Sequence, residues 1–292
     1  MLKMKKIQTF DVVLTICMVA VSILILLPLL HVIASSLSDP EAVYTGKVGL
    51  WPVRFSLKSY KIVFAEENIW IGYKNTILYT LLGTVISLTL QMLTAYPLSR
   101  RDLEFRKFFM VLFSLTMFIS GGMIPTYIVV KSLGMLNTLW AIIIPGCMGV
   151  FNIIIIRTFI NTSIPWELQE AAMIDGCGNF RMFLTLILPL SKPILAVMCL
   201  YAIVGNWNSY FNALIYVQDV SKQPLQLVLR KILVSSDAGS IGSGTIGSSE
   251  AGLMSESLKF STIIVSTLPI LLIYPFFEKY FEKGMIMGSL KG

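Results

Sequence analysis

The sequence predicts an all-α integral membrane protein with six transmembrane helices, and three observations carry that prediction. Charged residues make up 13% of the 292-residue chain, about half of the roughly 25% found in soluble domains. Mean hydropathy is +0.78. The charges stand in blocks, separated by six uncharged runs at 12–38, 75–99, 108–130, 132–156, 193–218 and 260–277. Crossing a hydrocarbon core of about 30 Å takes roughly 20 apolar residues in a helix, and all six runs approach or exceed that length. Backbone amides in lipid must pair internally, which a helix does within one segment. The runs lack the strict two-residue alternation of a membrane β-barrel.

The first run follows a basic stretch with Lys3, Lys5 and Lys6, and Val32-Ile33-Ala34 resembles a cleavage site. Its apolar part, from Val12 to Ala34, is longer than the 7–15 residues of a signal-peptide core, so it reads as an uncleaved helix. The short segment 100–107, with Arg100, Arg101, Arg106 and Lys107, lies two spans further on and therefore on the same side as the N-terminus. Lys279, Lys283 and Lys291 follow the last span. By the positive-inside rule these segments face the cytoplasm, which places both termini inside a multi-pass protein of the cell membrane. The segments 39–74 and 219–259 then face outward. The former carries Trp51, Tyr60, Phe64 and Trp70, which suit an interfacial or surface helix. The latter contains a Gly/Ser-rich stretch at 235–249, read as a flexible loop. Residues 235–252 serve either as a passive linker or as a finger that touches an external partner.

No catalytic constellation is present. The Gly-rich stretches lack a following Lys-Ser/Thr, so no phosphate-cradling loop exists and the chain does not hydrolyse ATP by that route. The single histidine, His31, excludes two-histidine metal motifs. Cys17, Cys147, Cys177 and Cys199 have no metal or redox spacing and read as small packing residues. No catalytic residue, metal or cofactor is expected in this chain. The net charge of +7 suits anionic lipid rather than nucleic acid, since no basic stripe with interleaved aromatics occurs. The runs contain no carboxylate for proton coupling, which places the energy source elsewhere.

The segment 163–190 between the fourth and fifth spans is the most informative. Ser163 is a possible N-cap, Pro165 suits a first turn, Glu167 suits the helix dipole, and Gly176 is a C-terminal stop. These signals predict a short helix over 164–175, a turn, and a second amphipathic helix from Asn179. The first helix would align Ile164, Leu168, Ala171 and Ala172 on one face. Spacing alone leaves two readings open, an ordinary amphipathic helix lying on the membrane and a helix whose alanines let another surface approach.

The residues Glu170-Ala171-Ala172-x-x-Asp175-Gly176, followed by Phe183, Ile187, Leu188, Pro189 and Pro193, resemble the EAA loop of permease subunits of binding-protein-dependent ABC importers. Gly284-Met285-Ile286-Met287-Gly288-Ser289-Leu290-Lys291-Gly292 and Asn206-Trp207-Asn208-Ser209-Tyr210-Phe211 are similar to the maltose-type carbohydrate class, and within it to the complex-oligosaccharide or lipo-oligosaccharide group. The resemblance covers essentially the whole chain and implies a type-1 ABC importer transmembrane domain. Residues 73–282 would form its core. Residues 1–72 would hold the N-terminal tail, first span and first external loop, and 283–292 a cytoplasmic tail. It further implies a second homologous permease, an ATP-binding cassette ATPase dimer and an external solute-binding protein as partners. Glu170, Ala171, Ala172, Asp175 and Gly176 would couple ATPase motion to the spans.

Sugars are held by aromatic faces and by amide or hydroxyl groups. The fifth span offers Asn206, Trp207, Asn208, Tyr210 and Asn212 as a candidate translocation path. On a continuous helix Asn208 would align with Asn212, and Trp207 with Tyr210. The same face could instead hold the two permeases together by interhelical hydrogen bonds. The rival functions are an ABC permease for a non-sugar solute, a secondary transporter or channel subunit, and a non-transporting membrane scaffold.

Overall fold

The protein's structure, a computed structural model, describes residues 9–242 and 248–289. Among them every regular element is helical. The chain divides into two compact units, one of the described residues within 1–69 and 229–268, the other of those within 70–228 and 269–292.

In the first unit, α1 (Thr9–Ser36) is apolar on all sides. Up to its last turn its side chains are exposed around the whole circumference, Leu24 and Leu26 on opposite faces among them. Such a helix needs lipid as its solvent. Beyond it the chain turns at Asp39, whose carboxylate accepts the Glu41 amide, with Pro40 opening α2 (Pro40–Tyr44). Ala34, Ala42 and Val48 form a small core there. Ser38 Oγ donates to the Ala34 carbonyl and accepts the Val53 amide at 3.0 Å, pinning the loop to the helix end. His31 is likewise structural, with Nδ1 3.0 Å from the Gly49 carbonyl and its ring edge-on to Phe260. The expected surface helix in 39–74 is α2 and α3 (Lys58–Ala65), joined by a loop on which Trp51 and Phe55 are exposed.

In the second unit, α4 (Glu67–Ser99) is the central rod from Trp70 onward. It packs against α8 (Val150–Ser163) and the helices on either side of Ser191. Met92, Ala95 and Tyr96 of α4 meet Ile153, Ile156 and Ile160 of α8 and Phe183, Ile187, Ile194 and Met198. The three- and four-residue spacing of these sets is that of one helix face each. At the other end of α4, Gly72 lets the backbone of Leu225 approach so closely that a Cβ there would lie 3.0 Å from Leu225 Cα. Thr76 Oγ1 accepts the Leu225 amide, and Asn75 and Tyr79 donate to carbonyls of 221–223. This straps the segment before α14 (Leu225–Gly242) onto α4.

Among the described residues three helices are long and apolar enough to span alone: Phe10–Ser36, Glu67–Ser99 and Leu253–Phe276 within α15 (Ser248–Ser289). Three more spans are bent. α5 (Arg106–Phe118) meets α6 (Met123–Ser132) at 111°, Leu139–Gly146 (including α7, Leu139–Ile143) meets α8 at 52°, and Asn179–Leu190 meets α12 (Lys192–Trp207) at 79°. Counting each bent pair as one broken span gives six. The bends have local causes. Gly121-Gly122 separates the first pair, with Gly122 at φ +83°. Gly146 and Gly149 bracket the second, and Pro189 and Pro193 flank Ser191 in the third.

Several expectations are corrected. The uncharged runs do not coincide with the helices, because α6 includes Lys131 and α8 includes Arg157. Arg157, midway along α8, is tolerated because its Nε donates to the Leu98 carbonyl at 2.8 Å. The stretch read as a flexible loop from 235 is helical through Gly242, and α15 begins at Ser248. The remainder of that stretch, 243–247, lies outside the described residues.

Candidate functional site

The segment 163–190 forms a short helix on a sharp turn, with a different start from the expected one. Ser163 ends α8, and Ile164 takes extended angles (φ −110°, ψ 108°). A residue before proline is pushed out of the helical region, so α9 (Trp166–Ile174) starts only after Pro165. No side chain caps that start.

The far end follows expectation closely. Gly176 has φ +72°. Its amide donates to the Met173 carbonyl at 3.0 Å, and that of Cys177 to the Ala172 carbonyl at 2.9 Å. This pair of bonds is the Schellman stop, which needs a left-handed residue at its centre. A Cβ on Gly176 would meet nothing within 4 Å, so backbone conformation, not space, selects glycine.

The faces of α9 differ from the expected ones. Gln169 is its buried residue, with Met173 half-buried one turn later. Ile164 is buried before the helix begins, while Leu168 and Ala171 point away from the protein. Glu167, Glu170, Asp175 and Ile174 are exposed with them, and Ile174 is 86% exposed. Ala172 lies at the margin. Of the coupling set, Glu170, Ala171, Asp175 and Gly176 therefore share an open surface. Glu170 is held in place there, its Oε1 accepting Trp166 Nε1–H at 2.6 Å. The Arg101 guanidinium lies 5.6 Å from the Trp166 ring centre. A polar cavity of about 280 Å³ opens beside this group, lined by Arg101, Arg106, Asn161, Trp166 and Gln169.

After the turn, α10 (Asn179–Met182) runs into one π-helical turn at Phe183–Ile187 and then α11 (Leu188–Leu190). Phe183 and Ile187 of the distal motif are buried in the main core. They fasten the loop to α4 and α8.

The fifth-span residues do not form one helical face. α12 ends at Trp207, and helix resumes only at α13 (Phe211–Tyr216). Asn208 closes α12, its Nδ2 donating to the Val204 carbonyl at 3.0 Å, and it has no helical register with Asn212. Trp207 is buried, 6.2 Å from the Tyr73 ring. Tyr210 lies between the helices, partly exposed against Phe211. Asn206 and Asn212 do converge. They line a cavity of about 250 Å³ together with Ser87, Gln91, Asn152 and Tyr201. Asn206 approaches Thr84 Oγ1 at 3.5 Å, over Gly83, where a Cβ would meet the amide at 3.0 Å. Asn212 Nδ2 donates to the Ile142 carbonyl at 3.4 Å, and Gln91 Nε2 to that of Cys147 at 3.2 Å. Sequence reasoning missed Ser87, Gln91 and Asn152. Their signal was a polar side chain inside an apolar run, which such a run tolerates only beside protein or water.

Comparison with known proteins decides the family. Residues 69–287 match the model for the inner membrane component of binding-protein-dependent transport systems. The chain belongs to that family. It is 40% identical over 290 residues to the polygalacturonan/rhamnogalacturonan transport system permease protein YtcP of Bacillus subtilis, covering 98% of this chain and 99% of that one. It is also 40% identical over 285 residues to protein LplC of the same organism, covering 98% and 96%. The fold matches a chain from the crystal structure of a bacterial ABC transporter involved in the import of the acidic polysaccharide alginate. That match has a TM-score of 0.83 at 30% identity and covers 95% and 98% of the two chains. The protein is thus a multi-pass membrane permease component of a binding-protein-dependent ABC importer, not a scaffold or a secondary transporter.

Proposed function

We propose that this permease carries a sugar, most specifically an oligosaccharide, from an external binding protein into the cytoplasm by alternating access. Two ATPase subunits supply the energy, and a second, homologous permease completes the path. The observation that carries this reading is α9. It is a short helix with a Schellman stop whose exposed face sets Leu168, Ala171 and Ile174 beside Glu167, Glu170 and Asp175. Exposed apolar side chains beside small and acidic ones suit a protein groove better than water. In this reading Glu170, Ala171, Ala172, Asp175 and Gly176 form the surface that sits on the ATPase, and the N- and C-termini lie on that same cytoplasmic side of the cell membrane.

The sugar assignment draws on YtcP and the alginate importer, whose names specify polysaccharide cargo, and on the polar cavity. Amides of Gln91, Asn152, Asn206 and Asn212, the Ser87 hydroxyl and the Tyr201 ring offer the mixture of hydrogen bonds and aromatic surface that carbohydrates use. Asn208, Trp207 and Tyr210 act in this reading by shaping the break between α12 and α13. The test is transport by the assembled importer in proteoliposomes. ATP-dependent accumulation of a labelled oligosaccharide, and none of a peptide or amino acid, is the expected result. Accumulation of a peptide instead would overturn the sugar assignment and leave the permease standing.

A further inference from the structure

The C-terminal end of α4 carries a buried cation that the activity described so far does not use. Arg100 directly follows the helix and is 6% exposed. Its Nε donates to Asp102 Oδ1 at 2.8 Å and its Nη2 to Asp102 Oδ2. Nη1 donates to Tyr96 Oη at 3.0 Å. The remaining approaches are to sulfur. Nη2 lies 3.5 Å from Met173 Sδ and Nη1 lies 3.8 Å from Met182 Sδ. Tyr96 in turn donates to Met182 Sδ at 3.4 Å and packs its ring on Phe183.

These partners belong to three elements. Tyr96 is on α4, Met173 is on α9 in the turn before its stop, and Met182 ends α10. The guanidinium therefore bridges both sides of the Gly176 turn to the long span. Only an arginine has a planar fork with enough donors to satisfy a bidentate carboxylate, a phenol and two thioethers at once. α9 is otherwise lightly held. It begins after Pro165, ends at Gly176, and buries only Gln169. A small unit attached at few points moves as a body, and its displacement passes through the points that hold it.

We propose that Arg100 is the positioning residue that transmits displacement of α9 to α4, by holding Met173 and Met182 against the end of that span through a cage closed by Asp102 and Tyr96. The proposal rests on the reading of α9 as the ATPase-coupled helix. Its mechanical content is that displacement of α9 itself reaches the 67–99 span through this side chain, beside the Phe183 and Ile187 contacts that anchor the segment after the turn. That span also presents Ser87 and Gln91 to the polar cavity. Methionine is suited to the contact because its flexible thioether can follow a moving cation without a rigid geometry.

The test uses the whole importer in proteoliposomes and reads two quantities, ATP hydrolysis and solute accumulated per ATP. Arg100→Met keeps the length and removes charge and fork. It should leave the complex assembled and hydrolysing ATP, and lower solute per ATP at least tenfold. Arg100→Lys should fall between, because the charge remains and the fork is lost. If Arg100→Met does not assemble, Asp102→Asn and the Met173→Leu, Met182→Leu double variant decide, since each keeps volume. They should lower solute per ATP two- to fivefold with hydrolysis retained. Wild-type solute per ATP in assembled Arg100→Met, or in both milder variants, would overturn the proposal. Failure of the underlying reading looks different. In that case α9 of the wild-type chain would not crosslink to the ATPase at all, whatever stands at position 100.

Discussion

Gly176 and Asp102 carry the sharpest consequences at the scale of single residues. Gly176 is left-handed with open space around it, so substitution there tests conformation alone. Leucine in that region costs roughly 1–2 kcal/mol, whereas asparagine tolerates it better. Gly176→Leu should abolish or strongly reduce ATP-dependent uptake, and Gly176→Asn should retain a substantial part. Equal uptake by both variants would remove the turn from the coupling argument. Asp102 gives a pH test. Its hydrogen bonds from Arg100 hold the carboxyl below the usual range. A carboxyl depressed in the fold contributes stability above its unfolded value near 3.9, and that contribution is lost as pH falls through the lower folded value. Thermal stability in detergent should therefore drop more steeply on acidification below about pH 4 in the wild type than in Asp102→Asn. Parallel acid profiles would mean the Arg100–Asp102 pair contributes nothing measurable.

At the scale of elements, two glycines on α4 separate stability from transport. A Cβ on Gly72 would press on the Leu225 backbone, which Thr76, Asn75 and Tyr79 hold against α4. Gly72→Ala should lower stability by about 1–3 kcal/mol, read as a reduced melting temperature of the purified subunit. On Gly83 the Cβ would meet only the end of the Asn206 side chain. Gly83→Ala should melt normally and change the apparent affinity for the transported solute, because Asn206 lines the polar cavity. The reverse pattern would place the functional surface elsewhere on α4. Individual elements also mark how far sequence reasoning reaches. The turn at Gly176 was readable because left-handed backbone leaves a glycine signature. The start of α9 lies two residues beyond the one the cap signal at Ser163 predicts, because Pro165 holds Ile164 out of the helical region. Asn208 and Asn212 were paired on a helix that ends at Trp207, since nothing in an uncharged run records where its backbone hydrogen bonds stop.

For the whole molecule, the six spans followed from the spacing of charges because lipid excludes charge from long segments. The bends did not follow, because Gly121-Gly122 changes backbone freedom without changing hydropathy. Arg157 shows the complementary limit. A charge ended the predicted run at 156, yet the helix continues to Ser163 because a backbone carbonyl of α4 receives the guanidinium. The polar cavity was half readable. Asn206 and Asn212 lie in the amide-rich stretch of the fifth span, but Ser87, Gln91 and Asn152 reach the cavity from distant segments that only the fold brings together. Orientation is testable at this scale. A reporter active only in the cytoplasm should work when fused after residue 292, and one active only outside should not.

The most direct test of ATPase docking through α9 is site-specific photocrosslinking in the assembled importer. A photoreactive side chain at Ala171 should give an adduct with the ATPase subunit, while one at Trp51 should give none. No ATPase adduct from Ala171, or an equal one from Trp51, would contradict the docking of the ATPase on this helix.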